Sequence, residues 1–220
     1  MPLQNGDHLT REEFERRYEA MPHLKKAELI EGVVYLHSAV KYEDHSRPQT
    51  RLLTWLAMYE LATPGVEASD NPTLRLGLDN DPQPDALLRI TPAAGGRSRI
   101  GQEGYVEGPP ELVAELAASS ASYDLHAKLH VYRRSGVQEY LVWRVLDREI
   151  DWFSLREGQY QKMTADASGI FRSEVFPGLW LDPAALLNAD LAAVLKTLER
   201  GLADPSHAAF AERLRGSSGR

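Results

Sequence analysis

Pro110-Glu111-Leu112-Val113-Ala114-Glu115-Leu116-Ala117 is the stretch whose reading decides the fold. Its short apolar run has the length of a buried strand, and Ser119-Ser120-Ala121-Ser122 directly after it supplies hydroxyls suited to capping a helix. That helix carries Leu125, Leu129 and Tyr132 on one face and is expected to end at Gly136. Val137-Gln138-Glu139-Tyr140-Leu141-Val142-Trp143 then reads as a strand, and Ile150-Asp151-Trp152-Phe153-Ser154-Leu155 pairs with it across Asp147-Arg148. An α/β domain follows, with a mixed central sheet flanked by helices.

Outward from this core, Thr73–Leu76 after Asn71-Pro72 and Asp85–Ile90 after Pro82-Gln83-Pro84 read as strands, with an aperiodic exposed loop from Thr91 to Pro110. Leu52, Leu56 and Tyr59 mark one face of a helix between about Asp44 and Leu61, which Pro64-Gly65 stops. Ala27 to Leu36 reads as a short helical end or strand, a glycine turn, and a β-branched strand; Thr10 with Glu13 is a capping box for a first helix. Further short strands are expected around Glu157-Gly158 and from Phe171 to Phe176. A helix starts near Asp182-Pro183, an amphipathic one runs through Leu191, Val194, Leu195 and Leu198, and Arg215 to Arg220 should fray. Residues 1–185 form the domain, and 186–220 a helical extension and tail.

Composition narrows the chemistry. The 220 residues are 43% hydrophobic and 26% charged, enough for one substantial core. No apolar run approaches the roughly 20 residues of a membrane span, and the N-terminal sequence lacks a signal peptide's basic end and apolar run, so a cytoplasmic protein without membrane contact is expected. Zero cysteines exclude a disulfide scaffold, an iron–sulfur cluster, a thiolate zinc site and a cysteine nucleophile. A net charge of −7 argues against a general nucleic-acid coater, though not against a local basic groove.

Glu115 is the residue that asks for an explanation. A carboxylate inside an apolar strand must be paired, protonated or bound to a cation. Asp85 opens another strand, and Asp124 and Lys128 follow on the helix. Two carboxylates from adjacent strands suit the oxygen-rich shell of Mg²⁺, and a nearby ammonium suits the negative charge of phosphoryl chemistry.

With these segments in hand, the chain resembles the Uma-two family of bacterial endonucleases within the PD-(D/E)XK superfamily. The resemblance spans roughly Leu9 to Trp143, through Glu28-Leu29-Ile30-Glu31-Gly32, Pro84-Asp85, Pro110 to Leu116, Ser119-Ser120, Asp124 with Lys128, and Tyr132 leading to Gly136-Val137-Gln138-Glu139-Tyr140. It implies a restriction-endonuclease-like fold. It also implies that Asp85 and Glu115 bind Mg²⁺ (or Mn²⁺), that Lys128 is the catalytic lysine, and that Glu28 is an extra acid, with nearby Glu31 the rival for that place. One departure is that Ala117 stands where the superfamily's pattern has a lysine, so Lys128 would fill the role from the helix.

Blander readings stand beside these. Asp85 suits a turn, Glu115 a strand edge, and Asp124 with Lys128 an ordinary surface pair. His126 and His130 have the spacing of two helical metal ligands but no third partner, and His45 could approach the site from the helix before Leu52, although the surface is its expected place. The expected activity is Mg²⁺-dependent DNA hydrolysis by a homodimer, with Arg97, Arg99, Arg133 and Arg134 as a local DNA-binding patch. The alternative is a catalytically inactive binding or scaffolding protein that keeps the nuclease fold.

Overall fold

Leu112–Ala117 is a strand buried at every position, which is why it reads as an apolar run, broken by Glu115, rather than an alternating one. A computed structural model describes residues 1–37, 39, 41–118 and 123–218. In chain order the strands are β1 (Ala27–Ile30), β2 (Val33–Leu36), β3 (Val66–Asp70), β4 (Leu74–Arg75), β5 (Ala86–Ile90), β6 (Arg99–Ile100), β7 (Val106–Glu107), β8 (Leu112–Ala117), β9 (Glu139–Arg144), β10 (Glu149–Arg156), β11 (Gln159–Lys162), β12 (Phe171–Arg172) and β13 (Trp180–Leu181). The α-helices are α1 (Arg11–Glu19), α2 (Arg47–Ala62), α3 (Leu129–Ser135), α4 (Pro183–Leu187), α5 (Leu191–Leu202) and α6 (Pro205–Ser218).

The central sheet runs β11-β10-β9-β8-β5-β3. Only β8 and β9 pair in parallel, because the helix between them returns the chain to the same end; the other pairs are antiparallel. Side chains alternate across β8. Leu112, Ala114 and Leu116 join Leu52, Trp55, Leu56 and Tyr59 of α2, together with Val194, Leu198, Phe210 and Leu214 of the C-terminal helices. Val113 and Ala117 face the other way, into a second cluster with Leu87, Val131, Tyr132 and Tyr140. Glu115 belongs to this second face by its parity.

The mixed sheet flanked by helices agrees with the sequence. Thr10 caps α1 by accepting from the Glu13 N–H, and Asp182 caps α4 by accepting from the Ala185 N–H. Pro48 falls in the first turn of α2, where its missing N–H costs nothing.

Of the two readings open for Ala27–Ile30, the structure has the strand, held by its hairpin with β2. Other elements depart from expectation. Val66–Asp70, half-exposed and carrying Glu67, Ser69 and Asp70, has no apolar pattern, yet it pairs along all of β5 as the sheet edge. The stretch from Thr91 to Pro110 is not structureless: it holds a 3₁₀ turn at Pro92–Ala94 and the strands β6 and β7, which make a small sheet with β4. Pro205–Ser218 is helical through the start of the tail that was expected to fray, since Phe210 and Leu214 are buried. The Ser119–Ser122 cap and the last two residues lie outside the described residues.

Candidate active site

Residues Ala86 and Ala114 are register partners across β5 and β8, so one further step places Asp85 opposite Glu115 on the same face of the sheet. Asp85 closes the ladder itself, its Oδ2 accepting from the Leu116 N–H at 2.8 Å. Above them comes the segment between β8 and α3. Its turn Asp124–Lys128 is π-wound, a rare geometry often found at functional sites, where the sequence suggests a regular helix.

Lys128 is buried with three carboxylates around its ammonium. Its Nζ lies 2.8 Å from Glu28 Oε1, 2.9 Å from Glu115 Oε1 and 3.7 Å from Asp124 Oδ1. Tyr132, one turn on, donates its hydroxyl to the same Glu115 oxygen at 2.9 Å. Among the described residues, no hydrogen bond reaches Glu115 Oε2. Glu28 comes from β1, where Oε1 also accepts from the Gln83 N–H at 2.7 Å and Oε2 lies 2.5 Å from His37 Nε2. Glu31 is exposed and pairs with Arg134, so of the two acids only Glu28 joins the cluster.

Three residues that the sequence did not bring to the site are found there. Lys26 Nζ lies 3.1 Å and His45 Nε2 3.3 Å from Asp85 Oδ1, and His37 holds Glu28. His45 is therefore not a surface residue: its side chain is 17% exposed and lines the same cleft as the acids. Their signal was weak because they sit on coil before β1, after β2 and on a short π turn, where no periodicity points a side chain.

The charges are unequal. Glu28, Asp85, Glu115 and Asp124 face two ammonium groups, Lys26 and Lys128. For Asp85, burial acts to raise the pKa, but His45, Lys26 and Lys128 outweigh it and hold the carboxyl below the usual range. Burial acts the same way on Glu28, yet Lys128 and His37 bring it down to about 2. Glu115 goes the opposite way. Burial, with only partial relief from Lys128 and with Asp85, Asp124 and Glu28 adding repulsion, pushes it up to about 8. Burial alone would lower Lys128, but Glu115, Glu28 and Asp124 hold it well above its ordinary value.

These groups open onto a cleft of about 690 Å³ whose lining includes Asp85, Glu115, Asp124 and Lys128. His126 and His130 are exposed, and among the described residues no cluster of three or more His, Cys, Asp or Glu is arranged to hold an ion. The cleft-facing acids nevertheless supply an all-oxygen donor set with surplus negative charge. That fits a cation such as Mg²⁺, which takes one or two carboxylates and fills its shell with water and phosphate oxygens.

The six-stranded mixed sheet flanked by helices makes this a restriction-endonuclease-like α/β domain. The chain belongs to the family described as "Putative restriction endonuclease" (Uma2), whose model matches residues 11–184. A solved structure with the same fold is a "putative nuclease belonging to DUF820" from Anabaena variabilis. It is similar at a TM-score of 0.61 and 14% identity, covering 79% of this chain and 96% of that one. A search of the curated proteins gives no significant match.

Proposed function

We propose that this chain is a cytoplasmic, Mg²⁺- or Mn²⁺-dependent endonuclease that hydrolyses DNA phosphodiester bonds, with Asp85 and Glu115 as metal ligands. The observation that carries this reading is the convergence of Asp85, Glu115 and Lys128 at one cleft, with buried Glu28 held against Lys128. When bound, the ion would polarise phosphorus and make water easier to deprotonate. The protein's own groups do the rest. Lys128 and Tyr132 both hold Glu115 Oε1, Oε2 has no hydrogen bond among the described residues, and Glu28 holds Lys128. The Lys128 ammonium offsets negative charge developing at the phosphoryl group. Leu116 N–H, Lys26 and His45 orient Asp85. Cutting both strands calls for two such sites, hence a homodimer, which sedimentation would test.

The second reading is a nuclease-fold protein that binds without cutting. Its support is that both oxygens of Asp85 already have protein partners. Plasmid cleavage with Mg²⁺ or Mn²⁺ decides between the two, comparing wild type with Asp85→Asn, which preserves shape. Cleavage lost in the variant, together with loss of the Mn²⁺-induced rise in melting temperature, is the expected result. An uncut plasmid with wild type, or full activity in Asp85→Asn, would defeat the catalytic reading.

A further inference from the structure

The cleft has an acidic floor and a basic rim. His23, Lys25 and Lys26 line it from the segment before β1, and His37, Lys41 and His45 from the segment after β2. Among the described residues, no arginine lines it. We infer that the DNA backbone crosses this rim, with Lys25 and Lys41 each holding a phosphate that flanks the one positioned over Asp85 and Glu115. This rests on the nuclease reading and adds to it where the strand lies.

Availability of charge supports the choice. Lys25 is exposed and, among the described residues, has no ion-pair partner. Lys41 has a side chain 82% exposed and, among the described residues, forms an ion pair only with Asp44, at 4.0 Å, a contact worth little at a surface. The arginines suggested by the sequence are already engaged. Arg97 donates to the Gly136 carbonyl at 2.6 Å, Arg99 pairs with Glu107 at 2.9 Å, Arg133 donates to the Gly158 carbonyl at 2.8 Å, and Arg134 pairs with Glu31. A phosphate would have to displace those partners, whereas at Lys25 and Lys41 it displaces mainly water and counterions. Tyr42, 67% exposed and next to Lys41, adds an aromatic face on which a base can stack. Because the whole chain carries −7, attraction for DNA has to be local, and this rim is where unneutralised cations meet the acids.

The test is fluorescence anisotropy of a labelled 20-base-pair DNA duplex, with Ca²⁺ replacing Mg²⁺, titrated with KCl. Each bound phosphate contributes about one unit to the slope of log K against log salt, so Lys25→Ala/Lys41→Ala should lower the slope by about two. Lys25→Arg/Lys41→Arg should keep it, and Arg97→Ala/Arg99→Ala should leave it unchanged, all with wild-type melting temperatures. A wild type that binds and cuts while the lysine-to-alanine pair keeps its slope overturns the path and leaves the nuclease reading standing. Loss of slope in the arginine pair instead, or tighter binding of an RNA duplex of the same sequence, also overturns it. A wild type that neither binds nor cuts overturns both.

Discussion

Replacing Lys128 by methionine keeps most of the side-chain volume and removes a charge around which three carboxylates are gathered. At an effective dielectric constant of about 20, unit charges at the 2.8 Å seen to Glu28 attract by about 6 kcal/mol, and Glu115 at 2.9 Å adds as much only in the fraction of molecules in which it is ionised. Much of that offsets the desolvation of ions that are 2% exposed or less, so the net loss is set by the acids left behind. Breaking a buried pair from one side typically costs about 3–5 kcal/mol, which for a chain of this size is a fall of roughly 6–20 °C in Tm. Glu115, already displaced to about 8, would take up a proton still more readily, so the loss should shrink between pH 8 and pH 5. Adding Glu115→Gln to Lys128→Met should recover at least about 2 kcal/mol of it, as coupled neighbours do in a double-mutant cycle. Urea unfolding followed by circular dichroism at both pH values measures all four proteins. A Lys128→Met protein within about 1 kcal/mol of wild type at pH 8, or a loss indifferent to Glu115→Gln, would refute the argument.

Two further outcomes are expected elsewhere in the fold. Gly201 lies inside α5, where alanine normally stabilises by about 1 kcal/mol; here an added Cβ would sit 2.2 Å from the Gly178 carbonyl oxygen and 2.8 Å from the Trp180 ring. Gly201→Ala should therefore lower the urea midpoint, by the equivalent of about 1–3 kcal/mol, reversing the sign that propensity alone gives. Glu139 is raised to about 7 by burial, despite hydrogen bonds from Ser173 and from the Glu174 and Val175 N–H groups. The folded chain keeps this proton where the unfolded chain loses it, so stability falls as pH rises from about 4.5 through 7, by about 3 kcal/mol in all. Glu139→Gln should remove that part of the slope; an unchanged pH profile of Tm would show the displacement to be wrong.

Where local physics alone decides an element, the sequence is readable. β8 and β9 announce themselves by apolar runs, and α1 and α4 by their caps. That Asp85 and Glu115 come together was legible through the family resemblance and because each was placed on a recognisable strand, Asp85 at the start of one and Glu115 within another. The role of Lys128 came from the family resemblance, since its spacing from Asp124 by itself suits an ordinary helix-surface pair. Lys26, His37 and His45 were not legible, because their approach to Asp85 and Glu28 depends on how the β1–β2 hairpin packs, a tertiary matter with no periodic trace. Edge strand β3 was hidden for a related reason: it forms because β5 offers it a ladder, while its own residues are half polar.

The alternation along β8 makes the strand a partition, with apolar packing alone on one side and, on the other, an apolar cluster beside which the charged groups sit. A single residue inserted between Leu112 and Glu115 would rotate Glu115 toward the tryptophan-lined side and carry a leucine into the cleft. Length variation should therefore be tolerated in the connection between β5 and β8 far better than within the six residues of the strand, where one codon gained or lost would damage folding and chemistry together.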